Sequence, residues 1–252
     1  MHILCTNDDG YLARGLNVLA SAANPLGRIS IVAPDREQSA TSNSLTLHHP
    51  LRARRARDGA IVVDGTPTDC VILAVGELLD QRPDFVLSGV NHGSNMGEDV
   101  LYSGTVAAAI EATILGIPAV AVSYVGSDFE DLPSWEGVLT TLLGQIVGMP
   151  SFPPDTLLSI NLPAVPATEV KGVRVTSLGK RRYRDSLTRA LDPSGREYFW
   201  IGGGVTRWTG APASDFRAVE EGYVSVTPLH LDLTNYALLE EVGGWGLELP
   251  SP

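Results

Sequence analysis

Four short stretches hold most of the side chains that could do chemistry. Asn7-Asp8-Asp9-Gly10 follows the apolar run His2–Thr6, and Asp35 through Ser39 follow Ile29–Ala33 and Pro34. Gly89 through Asn95 follow Phe85–Ser88, and Tyr102-Ser103-Gly104-Thr105 opens an alanine-rich segment. Two adjacent carboxylates, a hydroxyl and side-chain amides are all oxygen donors. They suit a hard cation such as Mg²⁺ or Mn²⁺ shared with a phosphate, and they do not suit structural zinc. Asp and Asn also make good turns, but two acids at the end of a buried strand repel each other unless a cation intervenes. A helix opened by Ser-Gly-Thr offers free N–H groups and a favourable dipole, so it can seat a phosphate. The plainer alternative is that Ser103 only caps the helix.

Several rival chemistries fail. No G-x-G-x-x-G follows the first strand, and neither a G-x-x-x-x-G-K-[ST] nor a G-x-S-x-G occurs there. The D-x-D of aspartyl-phosphate phosphatases is also missing, because Gly10 stands two after Asp8. His48, His49 and His92 could act as acid or base, but they read better as loop or surface histidines.

The elements that must position these groups alternate. Strand-like runs His2–Thr6, Ile29–Ala33, Ile61–Val63, Phe85–Ser88, Ala119–Ser123 and Leu157–Leu162 are separated by helical patterns at Leu12–Ala23, Thr68–Leu79, Thr105–Leu115 and Ser134–Val147. Continuously apolar strands divided by helices predict a doubly wound, mostly parallel, Rossmann-like α/β sheet covered on both faces. Ligands then bind beyond the carboxyl ends of the strands, where the loops above converge. Leu45–Arg57 reads as a small hairpin or arm.

After about residue 170 the pattern changes. Val173–Ser177 and Tyr223–Thr227 read as antiparallel strands. Between them a basic stretch, the turn Asp192–Gly195 and the aromatic run with Tyr198, Phe199 and Trp200 read as a long hairpin, and Thr234–Glu241 as a short final helix. The expected organisation is a core over 1–170 and a C-terminal extension over 171–252 that serves oligomerisation.

Composition bounds the class. The chain has 252 residues, 44% apolar and 19% charged, with a net charge of −11, which disfavours a nucleic-acid backbone as the main partner. Half of its 18 basic residues fall in two runs, Arg52–Arg57 and Lys180–Arg189, which could draw an anionic ligand. Two cysteines, Cys5 and Cys70, exclude a disulfide framework and read as buried thiols. The first residues carry neither a basic nor an apolar leader region, and no stretch reads as a membrane span. A cytoplasmic protein is expected.

These motifs, with Gly65-Thr66-Pro67-Thr68-Asp69-Cys70, Met96-Gly97 after Asn95, and Gly222 through Leu229, resemble the SurE survival-protein nucleotidases over about residues 1–240. The resemblance implies a divalent-metal-dependent phosphatase of nucleoside 5′- and 3′-monophosphates, with some action on short polyphosphate. It implies metal ligands at Asp8, Asp9, Ser39 and Asn91, and phosphate contacts at Asn95, Ser103, Gly104 and Thr105. Asp8 would also orient or deprotonate the attacking water. A homodimer or homotetramer built by exchange of C-terminal elements is implied as well. One departure is Ser39-Ala40 where the family pattern reads Ser-Gly, which bears on the loop's shape and not on the ligand. The alternative function is a nucleotide-binding or scaffold protein that uses the same site without turnover.

Overall fold

The computed structural model of the chain describes residues 1–126, 129–184, 187–201 and 205–249. Its first part runs β1 (His2–Thr6), α1 (Arg14–Ala23), β2 (Arg28–Pro34), β3 (Ala53–Arg55), β4 (Ile61–Val63), α2 (Pro67–Leu73), β5 (Phe85–His92), α3 (Gly104–Ile114), β6 (Ala119–Tyr124), α4 (Glu136–Val147) and β7 (Thr156–Leu162). The rest runs β8 (Val173–Val175), β9 (Lys180–Arg184), β10 (Leu187–Leu191), β11 (Glu197–Ile201), β12 (Val205–Thr209), α5 (Asp215–Glu220), β13 (Val224–His230) and α6 (Leu239–Gly243). Nine strands form one sheet in the order β3-β4-β2-β1-β5-β6-β7-β13-β8. β4, β2, β1, β5, β6 and β7 are mutually parallel, so the α/β architecture is the expected one.

The sheet is apolar on both faces because each face carries helices. Along β1, Ile3 and Cys5 enter the core under α1 and α4, while Leu4 enters the core under α2 and α3. This is the two-residue alternation of a strand buried on both sides. β6 divides its residues by size. Val120, Val122 and Tyr124 face α4, and Ala119 and Ala121 face the alanines of α3. Small residues on both partners bring α3 close to the sheet, which fixes the height of its N-terminus. Thr66 caps α2 in a capping box, accepting from the Asp69 N–H while Asp69 accepts from the Thr66 N–H. Caps of this kind contribute about 1 kcal/mol. Both cysteines are buried free thiols.

Three details differ from the sequence reading. α1 starts at Arg14 and not Leu12, because Ala13 is extended and Leu12 points into solvent. β8 and β13 are parallel to each other, and the antiparallel partner of β13 is β7. The Leu45–Arg57 arm contributes only β3, antiparallel to β4 at the sheet edge. The long hairpin is present as two ribbons, β9 with β12 at its base and β10 with β11 at its tip. Leu187, Leu191, Phe199, Trp200 and Ile201 are exposed on that tip. Gly202–Gly204 of the aromatic run, Asp185 and Ser186, and the side chains of Arg182 and Arg184 of the basic run lie outside the described residues.

Candidate active site

The sheet order determines where a crevice opens. From β1 the chain moves to β2 on one side and later returns to β5 on the other, so the β1/β5 boundary is the topological switch point. The loops after β1, β2 and β5 open there together, and hydrogen bonds lock them to one another. The Gln38 N–H donates to the Asp8 carbonyl at 2.7 Å and the Tyr11 N–H to the Pro34 carbonyl at 2.9 Å. The His92 N–H donates to Asp9 Oδ2 at 3.1 Å. Within the first loop Asn7 Nδ2 donates to the Gly10 carbonyl at 3.0 Å, while the buried Asn7 Oδ1 has no hydrogen-bond partner.

Asp8 is the centre of this cluster. Its side chain is buried, and the Thr105 hydroxyl donates to its Oδ1. Gly104 lies directly against it: a Cβ on Gly104 would stand 2.8 Å from Asp8 Cβ and 2.9 Å from Oδ2. The N-terminus of α3 therefore docks onto the carboxylate, and only glycine permits that approach. Burial pushes the Asp8 carboxyl up to about 6, opposed by the Thr105 hydrogen bond and assisted by the Asp9 charge. Burial also raises Asp9, against the pull of the His92 N–H. Among the described residues neither carboxylate has a Lys or Arg within ion-pair distance.

The other expected residues surround this centre. Ser39 is exposed, and its hydroxyl donates to Glu37 Oε1 at 2.6 Å. Asn91 Nδ2 donates to the Gly93 carbonyl at 2.9 Å, which turns the amide carbonyl elsewhere. Ser103 caps α3 by accepting from the Val106 N–H at 3.1 Å, as the plainer reading of the turn has it. Asn95 is tied to the far side of the crevice: its Nδ2 donates to Ser123 Oγ at 2.8 Å, and its N–H to Asn161 Oδ1 at 2.9 Å. Sequence reasoning missed Ser123 and Asn161. Both are next to last in buried strands, β6 and β7, that read as wholly structural. The Thr105 hydroxyl, expected only as part of a phosphate contact, donates to Asp8.

No group of three or more His, Cys, Asp or Glu that could hold a metal lies together among the described residues. A cation at this centre would therefore rest on two carboxylates completed by neutral oxygens. A buried and a half-buried acid with no Lys or Arg partner among the described residues, beside an unpaired amide oxygen, fit a hard divalent ion. The fold and this centre define a doubly wound α/β protein with an acidic, oxygen-lined site at the switch point of its sheet. Comparison with known proteins agrees. Residues 3–185 match the family model described as Survival protein SurE, and the chain belongs to the SurE family. It is 59% identical over 251 residues to a 5′-nucleotidase SurE of Gemmatimonas aurantiaca, covering 98% of this chain and 100% of that one. A 5′-nucleotidase SurE of Methylococcus capsulatus is 51% identical, with 97% of each chain covered. The crystal structure of the SurE protein from Aquifex aeolicus superposes with a TM-score of 0.85 at 40% identity, covering 96% of this chain and 98% of that one.

Proposed function

We propose that this chain is a 5′-nucleotidase, a divalent-metal-dependent phosphomonoesterase acting on nucleoside monophosphates. The observation that carries the reading is the docking of the α3 N-terminus onto Asp8 through Thr105 and Gly104. It puts the N-terminus of a helix, which attracts a phosphate, beside a carboxylate able to serve a cation and a water, with the Thr105 N–H turned toward that carboxylate. Asp8, Asp9, Ser39 and Asn91 would hold a Mg²⁺ or Mn²⁺ ion, which would supply Lewis-acid chemistry to a phosphate oxygen and to the attacking water. The chain's own residues do the rest. Asp8, oriented by Thr105, aligns the attacking water and takes up its proton. Ser39 keeps its proton on Glu37 and offers its lone pairs, and Asn91 offers the carbonyl its own amide group does not use. The N–H groups of Gly104 and Thr105, with the capped turn at Ser103 and the Asn95 amide, hold the phosphate oxygens.

The same reading includes a homodimer or homotetramer, supported by the exposed apolar tip of the β10–β11 hairpin. Two buried, unpaired cysteines fit a reducing, cytoplasmic compartment. The test is phosphate release from a panel of nucleoside 5′- and 3′-monophosphates and short polyphosphate. EDTA should abolish hydrolysis, and Mg²⁺ or Mn²⁺ should restore it. Full activity in metal-free protein overturns the metal role. Tight nucleotide binding without release favours the scaffold alternative.

A further inference from the structure

Asp215 opens α5, far from the catalytic crevice in sequence, yet it is completely buried and its carboxylate joins three segments. Oδ1 accepts from the Gly179 and Phe216 N–H groups at 2.8 Å each, and Oδ2 accepts from the Gly97 N–H at 2.8 Å. Gly179 sits at the base of the hairpin, immediately before β9. Gly97 stands two residues after Asn95 and begins the single helical turn Gly97–Leu101 that leads into Ser103 and α3. No larger residue fits at Gly97. Its φ is +54°, and a Cβ would lie 2.9 Å from the Gly179 carbonyl oxygen and 3.2 Å from the Trp208 ring. The next two residues are held by the same arm: the Arg181 N–H donates to Glu98 Oε2 at 2.7 Å, and Arg181 pairs with Asp99. On its other side the segment is anchored by Asn161 and Ser123 through Asn95. The loop that carries the phosphate contacts is thus clamped between the sheet and the hairpin base at its Asn95–Asp99 end, whereas Asp8 and Asp9 follow β1 and meet the loop only at its other end, where Gly104 and Thr105 are held by α3.

We infer that Asp215 is a positioning residue for the phosphate side of the site, holding the Asn95–Thr105 loop against the base of the C-terminal arm. The inference rests on the nucleotidase reading for what the loop binds. Asp215→Asn is a selective probe. With its remaining oxygen in the Oδ1 place it still accepts from Gly179 and Phe216. Its NH₂ then faces the Gly97 N–H, and that one bond is lost. Loss of a hydrogen bond to a charged group predicts a KM for nucleoside monophosphate raised roughly tenfold. The competitive inhibition constant of inorganic phosphate should rise in parallel. The apparent affinity for Mn²⁺, followed by its effect on the melting temperature, should stay within about twofold of wild type, a pattern that general loosening of the fold would not give. Asp99→Ala, which removes a half-buried partner of Arg181, should move the same constants by a smaller factor, and it decides the matter if Asp215→Asn does not fold. Unchanged phosphate affinity in the folded variant, or a parallel loss of Mn²⁺ affinity, overturns the inference. If the wild type proves inactive, the nucleotidase reading fails on its own. Calorimetric titration of both proteins with inorganic phosphate then tests the role of Asp215 separately: weaker binding by the variant supports it, and equal affinity overturns it.

Discussion

Replacing Asp8 by asparagine should stabilise the metal-free protein while disabling it. The buried carboxyl titrates at about 6 in the fold, against 3.8 for an ordinary aspartate. At 1.36 kcal/mol per pH unit this difference is worth about 3 kcal/mol. The sign follows from proton binding. Below pH 3.8 both folded and unfolded chains hold the proton, and Asp8 costs nothing. Between 3.8 and 6 the unfolded chain releases it while the folded chain keeps it, so stability falls as pH rises. Above 6 the full cost persists. Asparagine has nearly the same shape, and its Oδ1 still accepts from the Thr105 hydroxyl. Urea unfolding in EDTA should show Asp8→Asn more stable than wild type by up to about 3 kcal/mol at pH 8, with the gap closing near pH 4. For a chain of this size that is a rise of very roughly 5–10 °C in melting temperature. Mn²⁺ should then stabilise the wild type and leave the variant almost unmoved. Parallel stability curves across pH, or a variant less stable at pH 8, would refute the claim that an uncompensated buried charge sits at Asp8. In the presence of metal the variant's kcat should fall by ~10²-fold or more, as expected for a lost acid–base or electrostatic group.

Gly104→Val should cut kcat/KM by at least about 10²-fold, since its side chain would enter the space of Asp8 and misplace a reacting group; Thr105→Ser, which keeps the hydroxyl, should cost little, and steady-state kinetics of the pair would contradict the docking if both effects were small. Ala40 has a φ of +58°, a left-handed conformation that costs a non-glycine residue about 1–2 kcal/mol. Ala40→Gly should therefore raise stability by about 0.5–1 kcal/mol once the extra freedom of the unfolded glycine is subtracted, and a lower urea midpoint would show that the loop favours alanine. Removing residues 185–204 and closing the ribbon with a short turn should shift sedimentation toward a smaller species, whereas an unchanged sedimentation coefficient per assembly would remove the hairpin tip from the interface.

What could be read before the fold was known depended on range. Loops ending apolar strands carry local signals. Asn-Asp-Asp-Gly, Asp35 to Ser39 and the run to Asn95 therefore fall where expected, at the carboxyl edge and at the switch point. The Ser103 cap and the Thr66 capping box are likewise local, each bonded three residues away. The contacts that give the site its chemistry are not. Thr105 meets Asp8 across 97 residues, Asn161 meets Asn95 across 66, and Asp215 meets Gly97 across 118. Each uses a residue type whose local reading is satisfied without the partner: a first-turn threonine, an asparagine within a strand, a helix-opening aspartate. Pairing of β8 with β13 was hidden in the same way, because alternation along a strand shows which face is buried and says nothing of its neighbour's direction. Glycine carries more long-range information than these polar residues. Gly104 and Gly97 stand where any side chain would strike Asp8 or the hairpin base. In Asn95-Met96-Gly97 and Ser103-Gly104-Thr105 the glycines thus mark the two surfaces on which the loop proposed to hold phosphate is mounted, one turned to the arm and the other to the acid. The two mountings should therefore separate experimentally: damage at Gly104 disturbs Asp8 and metal response together, and damage at Gly97 disturbs phosphate alone.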